Sequence, residues 1–117
     1  MLEIRKDSLD WITVRVSGKL ERGDYEKAVP QLEKLLAQGE TRWLVEMDDF
    51  AGFSPGGLLE ELKFDLRHRR DFERVAVIES SKAAGLGVRL VKPLFSGEIK
   101  VFSSSERQVA ESWMREN

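Results

Sequence analysis

Three acidic side chains stand close together near the middle of the sequence, at Glu46, Asp48 and Asp49. They cluster where a predicted strand ends, at the edge where open α/β sheets place their ligands. Three carboxylates at one point could hold a hard cation such as Mg²⁺. Because 34% of the residues are charged, a solvated loop is the simpler interpretation, and the sequence favours no metal site.

The segment that follows carries a hydroxyl, a proline and two glycines at the start of a predicted helix. Ser54 could be a phosphorylation site or a nucleophile, but the one histidine of the chain, His68, lies about four turns further along that helix. Ser54 followed by Pro55 is instead typical of a helix N-cap with proline at the first helical position. Gly56 and Gly57 could let backbone N–H groups approach an anion, or could only allow the helix to pack closely on the sheet.

The composition excludes several classes of protein. The chain has 117 residues, no cysteine and a net charge of −2. The lack of cysteine excludes disulfides, thiolate catalysis and sulfur-ligated zinc, and the balanced charge argues against nucleic-acid binding. The N-terminal segment has no secretory signal pattern, and no apolar run approaches the roughly 20 residues that span a bilayer. We therefore expect a cytoplasmic chain that folds as one domain over residues 1–117.

The apolar periodicity predicts strands that alternate with helices. Alternating or short continuous apolar runs predict strands over residues 2–6, 11–17, 41–47, 74–79 and 99–102. Spacings of three and four predict helices over residues 22–38, 55–70, 81–95 and 103–117. The predicted apolar side of the second helix consists of Leu58, Leu59, Leu62 and Leu66. The order β-β-α-β-α-β-α-β-α implies an α/β fold, with a five-stranded, mostly parallel sheet and an N-terminal hairpin.

The predicted helix over 81–95 has an unusually broad apolar arc. It contains no acidic residue, and Leu86, Leu90 and Leu94 lie beside a second apolar stripe. A broad apolar arc with flanking cations suits a lipid pocket, a membrane surface or a partner helix. Burial against both the sheet and a neighbouring helix explains the same pattern, and the sequence slightly favours burial.

A ligand groove can be predicted between the second and third helices. Phe50, Phe53 and Leu58 would form one wall, and the three leucines of the helix over 81–95 would form the other. An apolar or amphipathic small molecule is the ligand class that such walls favour.

Long segments of the sequence are similar to a known family. They are "SGKL" at 17–20, "DYEKAVPQLEKLL" at 24–36, "FAGFSPGGLLEELKFDLRHRRDFERVAVI" at 50–78 and the C-terminal "AESWM". The chain resembles the STAS domain of bacterial anti-anti-sigma factors, and more closely the SpoIIAA-like family, whose fold is also similar to that of CRAL-TRIO lipid-binding domains. The resemblance implies a STAS-like fold and a regulatory or lipid-binding role.

The phosphorylation switch of the anti-anti-sigma factors does not transfer directly. Their Asp-Ser-Ser-Gly-Leu loop, aligned without gaps from the strand, falls on Ser54, Pro55, Gly56, Gly57 and Leu58. The Gly-Leu pair is kept, but proline occupies the phosphorylatable position and serine stands where the aspartate would be. The resemblance therefore implies the fold without the usual phosphoserine.

We therefore predict a non-catalytic binding or regulatory domain without a cofactor. Its partner would be a small apolar or amphipathic ligand, with peripheral membrane contact as a further option; the alternative is a protein-interaction switch, and a small enzyme that uses the acids at 46–49 ranks third. The sequence does not distinguish a monomer from an oligomer. The predicted binding residues are Asp49, Phe50, Phe53, Ser54, Gly56, Gly57, Leu58, Leu86, Leu90 and Leu94.

Overall fold

A computed structural model describes residues 1–79 and 96–116 of the chain. The strands are β1 (Leu2–Arg5), β2 (Ile12–Leu20), β3 (Arg42–Phe53), β4 (Arg74–Glu79) and β5 (Glu98–Ser103). The α-helices within the described residues are α1 (Arg22–Ala37), α2 (Pro55–Arg67) and α3 (Arg107–Arg115), the last preceded by a 3₁₀ turn at Ser104–Glu106. The predicted helix over 81–95 lies outside the described residues.

The five strands form one mixed sheet in the order β1-β2-β3-β4-β5. β1 runs antiparallel to β2, and every other neighbouring pair is parallel. The N-terminal hairpin and the α/β class predicted from the sequence are therefore confirmed. β4 is buried along its centre, from Val75 to Ile78, as expected for a parallel strand whose two faces are both covered.

Each face of the sheet has its own apolar core. The larger core joins the sheet to α1 and α2 and includes Val14 of β2, Tyr25 of α1 and Phe64 of α2. The smaller core joins the opposite face to α3 through Trp113 and Met114. Successive residues of a strand point to opposite faces, so neighbouring residues in β4 supply both cores.

The apolar side predicted for α2 is wrong at two of its four leucines. Leu59 and Leu66 are exposed, by 45% and 52%, whereas Gly57, Phe64 and Asp65 are the buried residues of the helix. Leucine is a strong helix former and is tolerated on helix surfaces, so the leucines alone do not identify the buried side. The helix instead turns an acidic residue toward the core.

Candidate functional site

An apolar cavity lies between the sheet and the helices α1 and α2. Its volume is about 150 Å³. The sheet, α1, α2 and the residues that join them all contribute to its walls. The described residues that line it are Leu2, Val14, Val16, Leu20, Tyr25, Leu32, Trp43, Val45, Met47, Phe50, Phe53, Leu58, Glu61, Leu62, Phe64, Asp65, Phe72, Val75, Val77 and Ile99.

The structure brings together the three residues of one predicted wall. Phe50, Phe53 and Leu58 all line this cavity. The rings of Phe50 and Phe53 pack edge to face, with centroids 5.1 Å apart, a favourable geometry for an aromatic pair. The opposite wall was predicted from leucines at 86, 90 and 94, which lie outside the described residues. The ligand role of all these residues stays a prediction.

Two irregularities in β3 aim its aromatic side chains into the cavity. Val16 of β2 pairs with Met47, and the next β2 positions of the same face, Gly18 and Leu20, pair with Phe50 and Phe53. Positions two residues apart in β2 therefore pair with positions three residues apart in β3. Each of these two intervals of β3 contains one extra residue. In a regular strand, a spacing of three would put neighbouring side chains on opposite faces. Because of the extra residues, all three β3 side chains line the cavity.

Asp49 is one of the two extra residues. Its backbone is left-handed, with φ of 51°, a conformation that few residues other than glycine, asparagine and aspartate adopt. Asp49 is exposed and is not among the described residues that line the cavity. The structure thus gives Asp49 a backbone role in shaping the wall, and its predicted ligand contact remains untested.

The prediction that β3 ends at residue 47, beside Asp48 and Asp49, is wrong. The strand continues to Phe53, so Glu46 and Asp48 belong to its length. Glu46 binds Arg5 at 3.0 Å and Arg107 at 2.8 Å, and Asp48 binds Arg15. Within residues 1–79 and 96–116, no group of acidic or histidine side chains has the arrangement to hold a metal ion. These carboxylates join strands to each other and to α3.

The start of α2 agrees with the interpretation of Ser54 as a helix N-cap. The hydroxyl of Ser54 accepts a hydrogen bond from the backbone N–H of Gly57 at 3.0 Å, and Pro55 occupies the first turn. The Ser54 N–H donates to the carbonyl oxygen of Leu20 at 2.8 Å. The first bond is that of an N-cap, and the second fastens the start of α2 to the end of β2.

Gly57 is needed for this close approach, and Gly56 is not. A Cβ atom built on Gly57 would lie 2.1 Å from the carbonyl oxygen of Leu20, far inside contact distance, whereas on Gly56 it would lie 3.5 Å from the nearest atoms, in the Arg22 side chain. Of the glycine pair singled out in the sequence, the first position has ordinary space around it. The second lets α2 lie directly against β2.

Polar side-chain contacts hold the far end of α2 against α1. His68 lies 3.0 Å from Glu33 through its Nε2 atom and 2.7 Å from Asp71 through its Nδ1 atom. Arg67 adds a 3.5 Å ion pair to the same Glu33. With Ser54 and Gly57 at one end and His68 at the other, α2 is fixed as a wall of the cavity along its length.

Sequence reasoning missed a polar cluster in this wall. Tyr25 of α1 and Asp65 of α2 are 2% and 4% exposed, and Glu61 precedes Asp65 by one helical turn, which places both acids on one side of α2. All three line the cavity. The signal was available: acids at 61 and 65 share the helix face of Leu58 and Leu62. It was obscured because Leu59 and Leu66 suggested another face.

Burial and mutual repulsion control the protonation of this cluster. Desolvation, followed by the negative charge of Glu61, raises the pKa of Asp65 from 3.8 to about 10. Desolvation, followed by Glu61, also raises the pKa of Tyr25 well above its ordinary value. Both groups therefore carry a proton at neutral pH. Side-chain hydrogen bonding to Glu61 contributes to both pKa shifts, although the geometry of the Asp65 Oδ2 atom and the Tyr25 hydroxyl toward the described residues is not ideal.

Comparisons with known proteins agree on the fold. The sequence matches the model of the family described as SpoIIAA-like over residues 11–115. A solved structure of an uncharacterized protein with a SpoIIAA-like fold from Shewanella loihica PV-4 is 28% identical, with a TM-score of 0.79; the alignment covers 97% of this chain and 92% of that one. No curated protein matches the sequence significantly.

Two further solved structures are more distant. The anti-sigma factor antagonist SpoIIAA in its unphosphorylated form is 12% identical with a TM-score of 0.67, and the alignment covers 97% of this chain and 98% of that one. The Bacillus cell fate determinant SpoIIAA in the phosphorylated form is also 12% identical, with a TM-score of 0.68 and coverage of 97% and 99%. At this identity the likeness concerns the fold alone.

None of the described helices is both long and apolar enough to cross a membrane.

Proposed function

Because this chain belongs to the SpoIIAA-like family, we propose that it is a non-catalytic regulatory domain that binds a small apolar or amphipathic molecule in the cavity under α1 and α2. The observation that carries the proposal is the apolar cavity of about 150 Å³ with Phe50, Phe53 and Leu58 in its walls. Protein interiors are packed to high density, with few voids larger than a water molecule, so an apolar space of this size supports a binding role.

The volume limits the size of the ligand. An apolar cavity of comparable volume admits a molecule such as benzene, whereas pockets for drug-sized ligands have about 300–1,000 Å³. The proposed ligand therefore places one ring or a short alkyl chain in this space. A larger amphipathic molecule would bind by the same apolar end, with its remainder outside the cavity.

Two measurements test this proposal. Native mass spectrometry of protein purified without organic solvent or detergent is expected to show a retained small molecule. For the emptied protein, titration with toluene followed by amide NMR is expected to shift residues of the cavity wall, including Phe50 and Phe53. A bare mass together with an unchanged spectrum at saturating toluene would overturn the proposal.

A pair of matched variants locates the binding. Leu58→Phe adds volume inside the cavity and is expected to weaken toluene binding at least fivefold. Leu59→Phe makes the same change one residue further along α2, where the side chain is exposed, and is expected to leave binding unchanged. Equal effects of the two variants would place the binding elsewhere.

A second candidate is the protein-interaction switch. The observation that favours it is that Leu59 and Leu66, exposed by 45% and 52%, lie on one face of α2. In-cell crosslinking is expected to give one adduct of defined mass that Leu59→Ser removes and Val109→Ser, at an exposed position of α3, retains. Because Ser54 caps α2 and residue 55 is proline, this switch would work without a phosphoserine in the loop.

A further inference from the structure

A concave surface rich in arginine lies at the C-terminal end of α2. The described residues that line this arginine surface are Leu66, Arg67, Arg69, Arg70 and Asp71. None of them is among the described residues that line the apolar cavity. Three arginines and one aspartate give the surface a net charge of +2. A cleft lined by charge of one sign raises the local concentration of ions of the opposite sign.

The turn that follows α2 presents two of these arginines on an anchored backbone. The N–H of Asp71 donates to the carbonyl oxygen of His68 at 2.9 Å, which closes the turn. Arg69 and Arg70 occupy its two central positions. The carbonyl oxygen of Arg69 accepts two further hydrogen bonds, from the N–H and the hydroxyl of Ser96, at 3.0 and 2.9 Å. Both arginine residues are exposed, so their guanidinium groups are accessible to a ligand.

No acidic side chain of the protein neutralises these two arginines by direct contact. Asp71, the acidic residue among the described lining, lies 2.7 Å from the Nδ1 atom of His68. Within the described ranges, neither Arg69 nor Arg70 forms an ion pair. The residues outside those ranges contain no aspartate or glutamate. The negative charge that would balance the arginine surface must therefore come from outside the side chains of this protein.

Arg67 and Leu66 add a third positive charge and an apolar contact. Arg67 belongs to the last turn of α2 and lies 3.5 Å from Glu33 of α1. Glu33 also lies 3.0 Å from His68, so Arg67 shares this carboxylate with a second side chain. Leu66 is half-exposed and lines the same surface. An organic group bound beside the arginines would therefore meet an apolar side chain.

We propose that the arginine surface binds a phosphate monoester, with the phosphate group held by Arg69 and Arg70 and the organic group against Leu66. A guanidinium group donates paired N–H bonds in a planar fork that matches the oxygens of phosphate. A phosphate monoester carries a charge of about −1.5 to −2 at pH 7, which balances the charge of the surface. This site goes beyond the proposed function and does not depend on it, because it is built from other residues.

Charge distinguishes a phosphate monoester from other anions. A guanidinium group also binds carboxylates through two N–H bonds, so the shape of the anion alone does not decide the preference. A carboxylate or a sulfate ester carries a single negative charge and would leave part of the positive charge unbalanced. We therefore expect the dianionic ligand to bind most tightly.

The test compares phenyl phosphate, phenyl sulfate and inorganic phosphate by NMR titration at pH 7.5 and low ionic strength, where exposed charges are least screened. Phenyl phosphate is expected to shift the signals of residues 66–71 and to bind at least fivefold more tightly than either of the other probes. Phenyl sulfate has the same ring but less charge, and inorganic phosphate has no ring to contact Leu66.

Charge variants locate the site. Arg69→Gln and Arg70→Gln are each expected to weaken phenyl phosphate binding at least fivefold. Lys27→Gln is the control, because it also removes one positive charge at an exposed position, on α1 and outside the arginine surface. It should change the affinity less than twofold. Equal effects of Arg70→Gln and Lys27→Gln would reveal general charge attraction and overturn the site.

A second pair of variants tests the apolar contact. Leu66→Ser is expected to weaken phenyl phosphate binding to the level of inorganic phosphate and to leave inorganic phosphate binding unchanged. Leu59→Ser is the control, because Leu59 is an exposed leucine of the same helix that is not among the described residues of the arginine surface. It should change neither affinity.

Vesicles distinguish two sources of the phosphate group. Phosphatidic acid presents a phosphate monoester as a lipid headgroup. Sedimentation with phosphatidylcholine vesicles that contain phosphatidic acid, abolished by Arg70→Gln, would support the site and assign the phosphate to a lipid. Binding of phenyl phosphate without such sedimentation would support the site and assign the phosphate to a soluble compound.

Two results would contradict the inference as a whole. One is equal affinity for phenyl phosphate and phenyl sulfate, because the preference for a monoester would then be absent. The other is a spectrum in which residues 66–71 do not shift at saturating phenyl phosphate. Neither result bears on the apolar cavity, which the toluene titration tests separately.

Discussion

The hydroxyl of Ser54 and the backbone N–H of Gly57 are joined by a hydrogen bond of 3.0 Å. The same short segment is bonded to the end of β2 through the carbonyl oxygen of Leu20. The segment that aligns with the phosphorylation loop of the anti-anti-sigma factors therefore forms a helix N-cap, and a backbone hydrogen bond joins it to the sheet. The hydroxyl and the backbone N–H of Ser54 are both used in these hydrogen bonds. Leu58, a residue of the cavity wall, follows Gly57 directly.

Replacing Ser54 by alanine should lower the free energy of unfolding by about 1 kcal/mol, the usual effect of losing an N-cap side chain. Ser54→Asp should retain most of the stability, because aspartate is also a good N-cap and its charge suits a helix N-terminus. Urea denaturation of the three proteins gives the comparison. An alanine variant as stable as the wild type would show that the cap bond contributes nothing.

Gly57→Ala should be far more damaging than Gly56→Ala. The added Cβ would meet the Leu20 carbonyl oxygen at 2.1 Å, so the helix start must move away from β2, at a cost of about 3 kcal/mol or more. At Gly56 the new methyl group finds ordinary contacts at 3.5 Å, and the better helix propensity of alanine should leave stability unchanged or raise it by up to about 1 kcal/mol. Thermal unfolding of the two variants decides the point, and similar melting temperatures would contradict the close approach.

The order of strands and helices could be predicted because it depends on short-range patterns. The run "RVAVIE" has the length and apolar content of a buried parallel strand, and the structure places it at Arg74–Glu79. The start of α2 was equally local, since serine followed by proline indicates an N-cap within a few residues.

The path of β3 could not be predicted from such patterns. Its two extra residues are defined by pairing with β2, and this pairing depends on residues some 30 positions away. The acidic face of α2 was missed for a related reason. Propensity favours leucine anywhere on a helix, so only tertiary contact showed that Asp65 is buried and Leu66 exposed.

The left-handed backbone at Asp49, with φ of 51°, predicts opposite effects of two substitutions. Asp49→Gly should leave stability unchanged or raise it by up to about 1 kcal/mol, because glycine adopts this conformation without a steric penalty. Asp49→Val should lower the free energy of unfolding by about 1–2 kcal/mol, since a β-branched residue is strongly disfavoured at positive φ. Chemical denaturation measures both. A valine variant as stable as the glycine variant would contradict the left-handed backbone at this position. It would also argue against the extra residue in β3 that brings Phe50 to the cavity.

Asp65→Asn should change how stability depends on pH. The folded protein holds the Asp65 proton to about pH 10, whereas an ordinary aspartate loses it near 3.8. The folded state therefore binds more protons than the unfolded chain across this range, and the free energy of unfolding of the wild type falls as pH rises, by at most about 1.4 kcal/mol per pH unit from this group. The neighbouring ionisable groups, Glu61 on the same helix and Tyr25 on α1, remain in the variant.

Asparagine cannot lose a proton in this way, so the variant should lack this part of the slope. Relative to the wild type, Asp65→Asn should be more stable at pH 8.5 than at pH 5.5, as measured by urea denaturation at both values. Glu60→Gln removes a carboxyl group of the same helix that lies in surface ion pairs with Arg22 and Lys63, and exposed pairs of this kind contribute little. Its stability should therefore follow the wild-type pH dependence closely. If the Asp65→Asn and wild-type curves were parallel, Asp65 would have to be ionised in the folded protein, and the cavity would carry its negative charge without the proton described above.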